Sequence, residues 1–131
     1  MQFSSRQLAD VTVAAPVGRI DHAGAAVLQQ ALAPLLAQAG TGQGAIVLDV
    51  SGVEYVSSVG LRVLMIASKE MHARGARIVL AGPQPVVSEI LAISRFDRVF
   101  EIAPSVRHAL AWLSGPALAA YEAAAGPDAK Q

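Results

Sequence analysis

Cysteine is absent from the 131-residue chain. Its absence excludes disulfide bonds, thiolate metal sites and cysteine nucleophiles, and it fits a reducing compartment. Charged residues are also scarce, at 15%, and their signs cancel to a formal net charge of zero. Because the phosphates of a nucleic acid call for a clustered positive surface, we do not expect a nucleic acid as the main partner.

Long apolar runs are missing as well. No run approaches the roughly 18 to 20 residues that span a bilayer, and residues 1–10 are polar and lack the apolar core of a signal peptide. These absences predict a cytoplasmic protein without a membrane span. Hydrophobic residues nevertheless make up 53% of the chain, a share typical of a folded domain, and the length fits one domain.

Patterns that would indicate catalysis or metal binding are also missing. His22, His72 and His108 are far apart and lack ligand spacing. The glycines of segment 40–44 lead into an apolar run and include no lysine, unlike a phosphate-binding loop. Because no nucleophile–base pair and no usefully spaced carboxylates are visible, the sequence predicts a protein that is not an enzyme and has no catalytic residue, metal or cofactor.

Apolar runs of strand type alternate with segments of helical periodicity. Residues 45–50 are apolar almost throughout, as expected of a strand buried on both faces. Asp21 is a predicted helix cap, and Pro34 is expected to kink or split the first helix. We predict strands at 11–14 (with an extension at 17–20), 45–50, 77–81 and 99–102, and helices at 22–38, 59–73, 85–94 and 106–113.

This alternation predicts an α/β domain with a mixed, mostly parallel sheet of about four to five strands and about four helices packed on it. From Gly115 the composition turns to alanine and glycine. We therefore place the domain at residues 1–114 and expect 115–131 to be a C-terminal tail, partly ordered at most.

The most informative segment is residues 49–62, DVSGVEYVSSVGLR, where a central strand ends and two serines precede a helix. The first turn of a helix has unpaired N–H groups and a partial positive charge, which stabilise a phosphate there. Two interpretations of the serines are open. One of them simply caps the helix, which is the commoner role, or one of them accepts a phosphate.

Several motifs in order resemble the STAS domains, in particular the stand-alone anti-sigma-factor antagonists. The resemblance spans about residues 11–113 and rests on family-like spacing of short segments. These segments are GRID at 18–21, LDVSGV at 48–53, YVSSVGL at 55–61, LAG at 80–82 and FDRVF at 96–100.

The resemblance implies a STAS-like fold and a phosphorylation-controlled switch. The unphosphorylated form would bind a serine kinase that is also an anti-sigma factor, of the histidine-kinase-like ATPase fold, and so release that partner's target. The phosphorylated form would dissociate from this partner, and a metal-dependent PPM-type serine phosphatase would remove the phosphate and restore the unphosphorylated form. Carried over to this sequence, the phospho-acceptor is Ser58, with Asp21 in the loop beside it. On physical grounds we predict that the partner binds the surrounding surface, formed by Asp21, Ser57, Gly60, Leu61 and Arg62.

The sequence departs from the family pattern at three positions. Ser57 stands where the family has Asp before the acceptor, so Ser57 is the second candidate acceptor. Val59 replaces the next hydroxyl residue, and Arg95 stands where many relatives have a glycine that ends the third helix. An alternative function is also open, since stand-alone domains of this fold serve as soluble subunits of lipid ABC transporters.

Overall fold

The structure is a computed structural model and describes residues 1–39 and 44–125. Within these residues the strands and helices alternate after an N-terminal hairpin. Their bounds are β1 Gln2–Leu8, β2 Val11–Ile20, α1 His22–Gln38, β3 Ala45–Asp49, β4 Val53–Val56, α2 Ser58–Ala73, β5 Arg77–Ala81, α3 Pro85–Ile93, a 3₁₀ turn Phe96–Arg98, β6 Glu101–Ala103, α4 Val106–Leu113 and α5 Gly115–Ala125.

Strand β2 organises the sheet because it pairs with three other strands. The sheet order is β1-β2-β3-β5-β6, with β1 antiparallel to β2 and the other neighbours parallel. The first residues of β2 pair with β3, and its last residues, Gly18 to Ile20, pair with β4. The carboxyl ends of β2 and β4 therefore lie next to each other.

Helices cover both faces of the sheet, which explains why the central strands are apolar throughout. In β3, Ile46 and Leu48 pack into the core formed with α1, α2 and α3. The alternate residues Ala45 and Val47 pack into a second core formed with α4 and α5. All four of these side chains are at most 5% exposed, so β3 holds the two helical layers together.

The ion pair of Arg77 with Glu101 ties β5 to the edge strand β6. Arg77 Nε donates to Glu101 Oε2 at 3.0 Å, and a second guanidinium nitrogen contacts Oε1. The hydrogen bond with Glu101 raises the pKa of Arg77 above its ordinary value. The ion pair stabilises the fold as long as Arg77 stays protonated, and its stabilising effect is lost only when the pH rises through the raised pKa. Because that pKa lies far above neutrality, Arg77 adds no pH dependence of stability near pH 7.

The predicted fold class is confirmed, with more elements than the sequence indicated. Strand β5, helix α4 and helix α1 begin and end where they were predicted. Apart from the 3₁₀ turn, three further elements appear in the described residues. These are β1 in the polar N-terminus, β4 within the connector after β3, and α5 beyond residue 114.

Helix α1 is not split at Pro34, contrary to one of the predicted outcomes. The helix continues to Gln38, and Pro34 lies on its exposed side. The Gln30 carbonyl, which lacks its usual N–H donor, can therefore face water. None of the helices in the described residues combines the length and apolar character needed to cross a membrane.

The segment after residue 114 forms a docked helix through Ala125. Ser114 is buried, and its hydroxyl donates to the Asp10 carboxylate and accepts from the Ala117 N–H at 3.2 Å. Ala117 itself is fully buried in the second core. Residues 126–131 and most of the predicted glycine loop, 40–43, lie outside the described residues, and the domain boundary at residue 114 stays a prediction.

Candidate functional site

The candidate site lies where β2 and β4 end side by side. Ile20, the last residue of β2, pairs with Val56, the last residue of β4. Each strand is followed by one extended residue and then a helix, Asp21 before α1 and Ser57 before α2. The Ser57 N–H donates to the Ile20 carbonyl at 2.8 Å. The two helix starts are therefore neighbours at the carboxyl edge of the sheet.

Asp21 and Ser57 cap their helices in the same way. Asp21 Oδ1 accepts from the Gly24 N–H at 2.9 Å, and Ser57 Oγ accepts from the Gly60 N–H at 3.1 Å. In both helices the donor lies three residues after the cap, which is the usual N-cap arrangement. The predicted cap at Asp21 is therefore confirmed, and the cap of α2 is Ser57.

Both capped glycines are required by close packing against the end of β2. A Cβ atom on Gly24 would lie 2.3 Å from the Arg19 carbonyl oxygen. A Cβ atom on Gly60 would lie 2.6 Å from Ile20 Cγ2 and 3.0 Å from the Ile20 carbonyl oxygen. These distances are too short for any side chain, so the starts of α1 and α2 are held tightly against the same strand.

Gly24 is a site residue that sequence reasoning missed. Its signal is the shared spacing of a capping residue and a glycine three positions later, Asp21–Gly24 and Ser57–Gly60. The pattern is short, and its meaning depends on two strands ending side by side. That juxtaposition cannot be read from the sequence.

The two adjacent serines have different environments. Ser57 is half-buried, and its hydroxyl is used by the cap. Ser58 is the first residue of α2, its side chain is exposed, and its hydroxyl makes no hydrogen bond with any described residue. A group attached to Ser58 Oγ would leave the cap intact, whereas a group on Ser57 Oγ would displace it.

The remaining predicted site residues divide into exposed and buried. Arg62 is exposed, one turn along α2 from Ser58. Leu61 is only 7% exposed and belongs to the first core, and Gly60 is buried against Ile20. Leu61 and Gly60 therefore position the start of α2, and Arg62 is available at the surface.

The connector between β3 and β4 is held by polar contacts below the site. Asp49 Oδ1 accepts from the Ser51 N–H at 3.1 Å and from the Ser51 hydroxyl at 2.7 Å. Gln84 Nε2 donates to the Ser51 carbonyl at 2.8 Å. Asp49 thus shapes the turn, and nothing near it among the described residues forms a cluster that could hold a metal ion.

Comparison with known proteins gives a family and a fold. Residues 5–104 match the family described as "Mlab, STAS domain". The chain is 32% identical over 105 residues to BtrV of Bordetella bronchiseptica, a protein assigned as an anti-sigma factor antagonist. The match covers 80% of this chain and 88% of that relative.

Solved structures of low sequence identity share the fold. A Thermotoga maritima protein assigned as an anti-sigma factor antagonist has a TM-score of 0.77 at 22% identity, covering 85% of this chain and 93% of its own. An anti-sigma factor antagonist from Mycobacterium paratuberculosis also has a TM-score of 0.77, at 24% identity, with coverage of 86% and 92%. The sequence match over residues 5–104 and the shared fold lead to one conclusion, that this chain belongs to the STAS domain family.

Proposed function

We propose that the chain is an anti-sigma-factor antagonist that acts as a phosphorylation-controlled binding switch and has no enzymatic activity of its own. The names of BtrV and of the two bacterial structures support the antagonist role. The observation that carries the switch is the contrast between the two serines. Ser58 is exposed with its hydroxyl unengaged by the described residues, and Ser57 is committed to the cap.

In the unphosphorylated form, the edge formed by Asp21, Ser58 and Arg62 binds the partner. The partner is a serine kinase and anti-sigma factor of the histidine-kinase-like ATPase fold, and its capture releases the factor that it holds. Gly60 and Leu61 are buried beneath this edge and contribute to binding indirectly, because they fix the start of α2 against Ile20. A surface held this rigidly needs little reorganisation on binding.

Phosphoryl transfer takes place on the partner. The Ser58 hydroxyl oxygen attacks the γ-phosphorus of ATP, the bond from that phosphorus to the β–γ bridging oxygen breaks, and ADP leaves with the electron pair. The hydroxyl proton passes to a base of the kinase. A metal-dependent PPM-type phosphatase reverses the modification by adding water to the phosphorus, which restores the hydroxyl and releases inorganic phosphate.

Phosphorylation weakens binding without refolding the protein. A phosphate on Ser58 lies at the start of α2, where unpaired N–H groups and the helix dipole stabilise it. The fold therefore tolerates about two added negative charges. In the docked complex, however, the same dianion has to be desolvated and repels acidic groups of the partner, so the affinity falls.

Site-mapping mass spectrometry of the protein from cells that naturally express it tests the acceptor. We expect one phosphate, on Ser58, that is lost in Ser58→Ala and kept in Ser57→Ala. Because Ser57→Ala removes the cap and should cost about 1 kcal/mol of stability, its folding is checked by circular dichroism. Phosphate on Ser57, or on neither serine under any growth condition, would overturn the assignment.

Partner capture tests the switch itself. The immobilised chain with serine at position 58 should capture a histidine-kinase-like ATPase. The chain with phosphoserine at position 58 should not capture it. Equal retention by the two forms contradicts the switch. Recovery of the nucleotide-binding subunit of a lipid ABC transporter, equally by both forms, would instead support the alternative of a transporter subunit.

A further inference from the structure

Arg62 lies about one helical turn after Ser58 on α2. In an α-helix, residues four apart are about 6 Å apart along the axis and lie on nearly the same side. Ser58 and Arg62 have this spacing within α2, and both side chains are exposed. The pair therefore shares one solvent-facing strip at the start of the helix.

Arg62 is a cation without a partner among the described residues. The ion pairs formed there join other residues, namely Glu70 with Arg74, Arg77 with Glu101, and Arg107 with Glu122. The arginines stacked on rings are Arg6, on Tyr121, and Arg19, on Tyr55. Arg62 thus forms neither kind of contact, and its guanidinium is available.

The other charged groups at this edge are either engaged or on other elements. The guanidinium carbon of Arg19, Cζ, lies 4.6 Å from the centre of the Tyr55 ring. The Asp21 carboxylate is held by the Gly24 N–H, while His22 begins α1 and Glu54 lies on β4, both exposed. On α2 itself, an anion followed four residues later by a cation is the favourable order for an intrahelical pair.

We propose that phosphate on Ser58 forms an intrahelical ion pair with Arg62 and so withdraws this guanidinium from the partner surface. The biological use of the pair rests on the proposed switch. Phosphorylation then changes the docking edge twice, since it adds a dianion and removes the free cation that would contact acidic groups of the partner. Arginine suits this role because its planar guanidinium can donate two parallel hydrogen bonds to one phosphate.

The test needs no partner protein. Phosphoserine is incorporated at position 58 of the full chain during translation, and ³¹P NMR follows the phosphate through its second ionisation. An ion pair favours the dianion and therefore lowers this pKa. We expect the pKa to be about 0.3 unit lower in the otherwise unchanged chain than in Arg62→Gln, with Arg62→Lys in between.

Lys69→Gln is the matched control, because Lys69 is an exposed cation farther along the same helix. Its phosphate pKa should equal that of the unchanged chain. His22, which is exposed at the start of α1, is kept in every variant so that its effect cancels in the comparison. Equal pKa values with and without Arg62, or an equal shift in Lys69→Gln, would overturn the ion pair.

The installed phosphate separates this inference from the proposed function. A pKa shift that depends on Arg62 supports the ion pair whether or not a kinase modifies Ser58 in the cell. Mapping of phosphate in the native protein tests the kinase independently. Either result can therefore fail while the other stands.

Discussion

Arg95 has a backbone conformation that its side chain disfavours. Its φ is 63° and its ψ is 17°, in the left-handed region, at the junction of α3 and the 3₁₀ turn. The Arg95 N–H donates to the Ala92 carbonyl at 3.1 Å, and the Arg95 carbonyl accepts from the Arg98 N–H at 3.2 Å. These two hydrogen bonds stabilise the reversal of the chain and keep Arg95 in the left-handed conformation. Arginine is strained in that conformation, whereas glycine would not be.

Arg95→Gly should therefore raise the free energy of unfolding by about 0.5–1 kcal/mol. The substitution removes a left-handed strain of about 1–2 kcal/mol and offsets part of that gain through the greater freedom of glycine in the unfolded chain. Urea denaturation measures the change. Arg98→Gly, in the same turn but without a positive φ, should be destabilising, and a loss of stability in Arg95→Gly would contradict the assignment of strain.

The serine pair shows why some site detail is beyond sequence reasoning. A helix beginning at residue 59 was predicted, and the structure begins α2 at Ser58, with Ser57 as its cap. This shift of one residue decides which hydroxyl is used in capping. Helix boundaries are uncertain by one or two residues even in known structures. The motif could thus locate the two serines, but their division of roles needs coordinates.

At the scale of elements, the starts of α1 and α2 depend on glycines that touch β2. Gly60→Ala should lower the free energy of unfolding by about 1–3 kcal/mol, because the new methyl group would overlap Ile20 and force α2 away from the strand. Chemical denaturation gives the value. Partner binding by the folded variant should also weaken, since Ser58 and Arg62 would move with the helix start.

Gly115→Ala is the control for that change. A Cβ atom at Gly115 would meet no atom within 4 Å outside its chain neighbours and the backbone of its own helix turn, and the backbone φ of Gly115 is not positive. Alanine in this first residue of α5 should be neutral or slightly stabilising because of its higher helix propensity. If the two glycine substitutions had the same effect, close packing at Gly60 would not be its cause.

Predictability differs among the elements for physical reasons. Strands β3 and β5 are buried on both faces, so their apolar runs are unambiguous. Strand β1 is an edge strand with mostly exposed polar residues, and β4 is only four residues long. Helix α5 is rich in alanine and has no distinct apolar face. These three elements form because of the strands and helices that they pack against, and the sequence pattern alone does not indicate those contacts.

At the scale of the whole molecule, α5 closes the second core. Its buried Ala117 and the partly buried Leu118 and Tyr121 pack into the second core, and the helix contacts β1. The hydrogen bond from the Ser114 hydroxyl to the Asp10 carboxylate ties the start of α5 to the turn between β1 and β2. The helix is therefore expected to contribute to global stability, although the sequence suggested a tail.

A chain ending at residue 114 should consequently be less stable than one ending at residue 125, by on the order of 2 kcal/mol, since it exposes apolar surface of about one large side chain. Urea unfolding of the two truncated chains measures the difference without reference to residues 126–131. Amide hydrogen exchange in β1 should accelerate in the shorter chain. Equal stabilities would instead support the domain boundary predicted at residue 114.

The positions of the strands along the chain set the times at which they are synthesised. The hairpin of β1 and β2 leaves the ribosome first, whereas β3 and β4 follow later and β5 ends about sixty residues after Ile20. At about 5–20 residues per second, the wait is roughly 3–12 s. In the complete sheet the polar strand β1 covers one edge of β2, and a hairpin that formed during this interval would shield that edge from other chains. A strand with mostly exposed side chains would thus limit edge-to-edge association of the nascent chain.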